Sequence, residues 1–147
     1  MKERDGEQRA NSALFPDLIA GLKSVPGCLG VESAATESGK QLIFAWFENR
    51  AAALRWYYSD MHQGVMRRFF PNLPERTPLS DVDEDRPVLA IASITMADRP
   101  QFGETLLPIS QIAIEIYQPA SGGLFLGGRF APESLTVPGL IDVGKKG

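Results

Sequence analysis

The chain has a single histidine, His62, and it follows a run of aromatic residues: Trp56-Tyr57-Tyr58-Ser59-Asp60-Met61-His62. An imidazole has an ordinary pKa near 6.5, so His62 can take up or release a proton at neutral pH. Indole and phenol rings beside such a group can wall a flat substrate while it exchanges that proton. His62, Tyr57 and Trp56 are therefore the candidate catalytic group, and Trp46, Tyr58, Met66, Phe44 and Arg67 the candidate substrate-binding residues. Arg67 and Arg68 have the charge to meet a carboxylate or phenolate, but an arginine pair of this kind also suits a solvated helix face. The rings have a competing role as core or dimer interface, and His62 one as a packed residue at a helix break.

These residues need elements to position them. Leu14, Phe15, Leu18, Ile19 and Leu22 form the stripe of an amphipathic helix, with Pro16 tolerable in its first turn. Pro26-Gly27 ends that helix, and a strand is expected over about 29–34. Thr36 to Lys40 has the composition of a hairpin connection. The next strand sets Leu42, Phe44 and Trp46 on one face and Ile43, Ala45 and Phe47 on the other. Both faces are apolar, which predicts a sheet covered on both sides. Asn49 is placed to cap a helix over 51–58, and Ser59 to cap a second one, with Asp60 in its first turn. In that second helix Met61, Val65 and Phe69 share a stripe, beside His62, Met66 and Phe70. His62 lies three residues after the cap, where the positive helix end disfavours imidazolium.

The proline-rich, acidic stretch from Pro71 to Pro87 reads as an exposed loop. Val88 to Met96 is apolar on both alternating faces and suits a central strand. Ile112, Ile114 and Ile116 alternate with Ala113, Glu115 and Tyr117 in another. Pro119 to Gly123 is a turn into Leu124 to Phe130, read as part of a C-terminal β-hairpin. Residues 132–147 show little sign of a packed element.

Several chemistries are excluded. The net charge of −3 gives no basic footprint for nucleic acid, and no apolar run approaches the roughly 20 residues that span a bilayer. Asp81, Asp83 and Asp85 resemble the start of a calcium loop, but Arg86 replaces its glycine and Ala92 its closing glutamate. Gly122-Gly123 and Gly127-Gly128 do not stand between a strand and a helix, as a nucleotide loop requires. The lone Cys28 precludes an intrachain disulfide and fits a reducing, cytoplasmic setting; it reads as buried and inert. One histidine and one cysteine supply no convergent metal-ligand set, so neither metal nor cofactor is expected.

Three features, in order, resemble the antibiotic biosynthesis monooxygenase-like group of dimeric α/β barrels. Leu22 to Gly30 looks like the family's helix end and PG-x-x-G turn. Phe44-Ala45-Trp46-Phe47 with Asn49 and Ala51-Ala52 looks like its third strand and helix entry. Trp56 to His62 looks like its W-x-x-S-x-x-H helix break. The resemblance covers about residues 14–70. It implies a ferredoxin-like α+β fold, an antiparallel sheet with helices on one face, homodimerisation through the sheet, and cofactor-independent oxygenation of an aromatic or quinone-type substrate. Haem-degrading relatives ligate iron through a helix histidine further beyond the tryptophan than His62 is, with an asparagine from a leading strand. The chain before Leu14 is too polar for such a strand. Val88 to Met96 is expected in its place, with Gln111 to Tyr117 beside it.

The sequence reading is thus a polar tail over 1–12, one domain over 13–131 and a tail over 132–147. The function expected is a cofactor-independent, monooxygenase-like enzyme. The alternatives are a non-catalytic small-molecule-binding module and a structural dimer whose aromatic residues fill its core; neither nucleic acid nor membrane is an expected partner.

Overall fold

The computed structural model of the chain describes residues 17–74 and 77–144. The expected 1–12 tail, and Leu14, Phe15 and Pro16 of the first helix, lie outside these. Residues 17–23 are helical, here α1, and a turn leads into β1 (Cys28–Ala35) and β2 (Gln41–Phe47). Two short helices follow, α2 (Arg50–Tyr57) and α3 (Asp60–Phe69), then β3 (Val88–Met96) and β4 (Ile109–Tyr117). The four strands form one antiparallel sheet in the order β1-β2-β3-β4. It is open, with β1 and β4 at its edges, and the fold is the expected α+β, ferredoxin-like one. Val88–Met96 lies beside Gln41–Phe47 with β4 next to it, as the two apolar faces of that segment predict.

Local chemistry sets the helix boundaries. Asn49 is extended, and its Oδ1 accepts from the Ala52 N–H at 3.0 Å, capping α2. Ser59 is extended too, and its Oγ accepts from the His62 N–H at 3.2 Å, capping α3. Gly27 sits at φ 90°, and a Cβ there would stand 2.5 Å from that of Ala52. The Pro-Gly turn therefore needs glycine twice over, for its backbone and for the close approach of α2.

The core lies at one end of the sheet. Ala45 and Phe47 of β2 and Val88 and Ala90 of β3 pack with Ala52 and Ala53 of α2 and with Leu22 and Val25. Small side chains on both sides let α2 settle directly on the strands. α3 presents Val65, Met66 and Phe69 instead, and it stands off from the part of the sheet that runs toward Ile94 and Ile112. The loop before β3 closes the packed end. Leu79 and Val82 lie against the core, and Arg50 pairs with Glu84 and donates to the Val82 carbonyl at 3.3 Å.

The opposite face of β2 is covered from the C-terminus. Phe130 meets Phe44 edge-on at 4.8 Å and Trp46 at 5.0 Å, and Trp46 is buried. A Cβ on Gly30 would lie 2.6 Å from Pro132, so the segment passes directly over β1. Two expectations are corrected here. Leu124–Phe125 (β5) pairs in parallel with Ile141–Asp142 (β6), so this is no hairpin; a parallel pair needs the long connection that residues 126–140 supply. The stretch after Pro132 is no unpacked tail either, since Leu135 is only 1% exposed. Arg129 organises it, donating from Nη2 to the carbonyls of Pro132, Glu133 and Leu135 at 3.1, 3.0 and 2.6 Å.

Candidate functional site

Where α3 stands off from the sheet, a cavity of about 430 Å³ opens. Leu18, Gly21 and Leu22 of α1 form one wall and Met61, His62, Val65, Met66 and Phe69 of α3 the other. Ile43, Ala92, Ile94 and Met96, with Ile112 and Ile114, form the floor. The buried residues Leu22, Ile43 and His62 mark its closed end. Met61, Leu73, Ile112 and Ile114 are exposed and mark its mouth.

Among the described residues His62 is the only ionisable one lining this space, and it is 7% exposed. Trp56 packs against it at 4.4 Å between centroids and Tyr57 at 5.1 Å. Nδ1 lies 2.9 Å from the Tyr57 carbonyl. A carbonyl can only accept, so Nδ1 carries the proton in the neutral ring and Nε2 presents its lone pair. Nε2 has no partner among the described residues. No buried polar side-chain atom there lacks one, so Nε2 keeps some accessible surface, and His62 is a lining residue of the cavity. Burial pushes the imidazole pKa below its ordinary value, and the Tyr57 carbonyl opposes this by favouring the protonated ring. The balance leaves a neutral acceptor at the closed end of an apolar pocket.

Among the described residues the other polar side chains on the lining each have a hydrogen-bond partner. Ser59 Oγ donates to the Trp56 carbonyl at 2.7 Å while accepting from the His62 N–H. Ser93 Oγ accepts from Gln111 Nε2 at 2.7 Å on the far face of the sheet. Gln63 donates to the same Tyr57 carbonyl at 2.6 Å, so that oxygen has two donors. Among the described residues no three His, Cys, Asp or Glu side chains converge.

The residues expected to form one site are divided by the fold. His62, Trp56 and Met66 share the cavity. Tyr57 stacks on His62 from behind and does not line it. Tyr58 is 61% exposed, and Arg67 is exposed on the outer side of α3. Phe44 and Trp46 lie across the sheet under Phe130. Strand alternation separates them from Ile43, Ala45 and Phe47, the face that the helices cover. Val65 and Phe69 belong to an apolar stripe visible in the sequence. Ile94, Met96, Ile112 and Ile114 are the lining residues that sequence reasoning missed, because only strand pairing brings them under α3.

The elements from α1 to α3, with β1, β2 and His62, are the part of the chain that comparison with known families recognises. Residues 1–68 match the antibiotic biosynthesis monooxygenase family. Both cavity-wall helices lie within the matched region, apart from Phe69 at the end of α3; β3 and β4, which complete the floor, lie outside it. No curated protein and no solved structure matches the chain. No helix among the described residues is long and apolar enough to cross a membrane.

Proposed function

We propose that this protein is a cofactor-independent monooxygenase acting on an electron-rich aromatic substrate, with His62 as its proton-transfer group. The observation that carries this reading is the neutral His62 at the closed end of the cavity, whose Nε2 has no partner among the described residues. Nε2 takes the proton of a phenolic hydroxyl, and the phenolate formed is electron-rich at its para carbon. That carbon transfers electrons to dioxygen, the co-substrate, and a C–O bond forms. The proton held on His62 passes to the resulting peroxide, and loss of water across the C–H and O–O bonds leaves a quinone. One oxygen atom enters the product and the other leaves as water. Trp56 holds the imidazole in place, Tyr57 fixes its tautomer through its carbonyl, and the apolar walls exclude water.

The alternative is a binding module in which the same cavity holds its ligand without turnover. Incubation with ¹⁸O₂ and a panel of naphthols and naphthohydroquinones separates the two. The oxygenase reading expects one labelled oxygen in the quinone formed from a naphthol. A ligand that binds and is recovered unchanged supports the module instead.

Homodimerisation is part of the same proposal, in a cytoplasmic setting. Beside the Phe130 cap, Leu124, Leu126, Ile141 and Val143 are each more than half exposed, an apolar surface that a second copy can cover. Light scattering at micromolar concentration is expected to show twice the chain mass, and a clean monomer would remove this part of the reading.

A further inference from the structure

The polar inventory of the cavity reaches further than the reaction class, because it specifies what kind of molecule can reside there. We infer that the cavity selects an uncharged, apolar ligand that enters with one hydrogen-bond donor foremost, and that it discriminates against the same molecule bearing only an acceptor at that end. This rests on the proposed role of the cavity as a substrate site, and it names the substrate class.

The inference follows from counting what is free. Among the described residues Ser59 has its hydroxyl engaged on the backbone of the helix break, and Ser93, whose Oγ accepts from Gln111, points by strand alternation to the other face of the sheet. Among the described residues no lysine or arginine lines the space, Arg67 and Arg68 included, so none of them meets a carboxylate or phosphate there. Nε2 of His62 remains, and the Tyr57 carbonyl holds the ring in the tautomer that makes Nε2 an acceptor. A hydroxyl or N–H arriving at the closed end completes that lone pair. A carbonyl or ether oxygen arriving there sets two acceptors against each other. Protonating the ring to accommodate such an oxygen is opposed by its burial. Groups on the far end of the ligand face the mouth at Leu73, Ile112 and Ile114, where water is available to them. The volume suits a body of about two or three fused rings.

One consequence concerns turnover. Oxidation converts the donor hydroxyl into a carbonyl acceptor, so the product loses the one polar contact the substrate made. Product release is then driven by the chemistry itself, without movement of a lid.

The test compares three ligands of nearly equal shape, followed by calorimetry and Trp56 fluorescence. These are 1-naphthol, its methyl ether 1-methoxynaphthalene, and 1-naphthoate, which is charged at neutral pH. The expected order is naphthol tightest, the ether roughly tenfold weaker through the lost hydrogen bond, and naphthoate weaker again by at least about a hundredfold. In H62F the aromatic packing is kept and Gln63 still satisfies the Tyr57 carbonyl, so the ether and the naphthol should bind equally. Equal binding of ether and naphthol to the wild-type protein, tighter binding of naphthoate, or no binding of any of the three overturns the inference. The oxygenase reading fails separately. Selective naphthol binding with no oxygen incorporation sinks that reading and leaves the selectivity standing.

Discussion

Replacing His62 by phenylalanine isolates what the neutral imidazole contributes to stability, because no other side chain in this sequence ordinarily titrates between carboxylate and thiol ranges. The variant loses the Nδ1–H bond to the Tyr57 carbonyl, a contribution of about 0.5–1.5 kcal/mol net. Gln63 stays on that carbonyl, so no buried acceptor is orphaned, and the phenyl ring keeps the contact with Trp56. At about pH 7.5 the expected loss is therefore about 1 kcal/mol, a fall in Tm of about 2–4 °C for a chain of this size.

The pH dependence carries more information. Burial lowers the folded-state pKa below the ordinary 6.5. At higher pH the ring is neutral in both folded and unfolded chains. As pH falls through 6.5 the unfolded chain binds the proton first, and wild-type stability drops by up to about 1.4 kcal/mol per pH unit until the folded-state pKa is reached. H62F lacks this loss. Carboxylates titrate in both proteins and cancel in the difference. Urea melts between about pH 7.5 and pH 5 should thus bring the two stabilities together on the acid side, with the variant overtaking if the shift is large enough. Parallel losses in both proteins would show that His62 is not held neutral.

Other outcomes follow from the same geometry. Met66→Trp should fill the cavity between α3 and its floor and abolish naphthol binding, read by calorimetry, while His62 remains in place. Ser59→Ala removes the cap of α3 and should lower stability by about 0.5–2 kcal/mol, measured by denaturant melts. Phe130→Ala should expose Trp46, shift its fluorescence to the red, and lower stability by about 1–2 kcal/mol, less than a fully buried phenylalanine because Phe130 is itself 59% exposed.

The legible parts of this chain were those encoded locally. Asn49 and Ser59 announced the two helix starts because a cap is a contact within three residues. Val88–Met96 announced a central strand because a segment with neighbours on both faces is apolar on both. The sequence also led to His62, though it assigned its neutrality to the helix end, whereas burial has the larger influence. Phe44 and Trp46 were grouped with His62 because they are near it along the chain. Alternation shows that they share a face with each other, but nothing local shows which face the helices take. The C-terminal segment was illegible for a different reason. It is held by one guanidinium on three carbonyls and by a single buried leucine, an arrangement without periodicity.

The central claim, that Nε2 of His62 acts as the base for oxygenation in this cavity, is tested most directly by an oxygen electrode. The measurement is the initial rate of oxygen uptake with a naphthol that binds and has a free para C–H, such as 1-naphthol, after subtraction of its autoxidation, in the wild-type protein and in H62F. The account predicts clear uptake by the wild-type protein and a fall of about 10²–10⁴-fold in the variant, the range for a lost acid–base group, while the ligand still enters the cavity. Uptake that is unchanged in H62F, or no uptake above autoxidation with any ligand that binds, would contradict it.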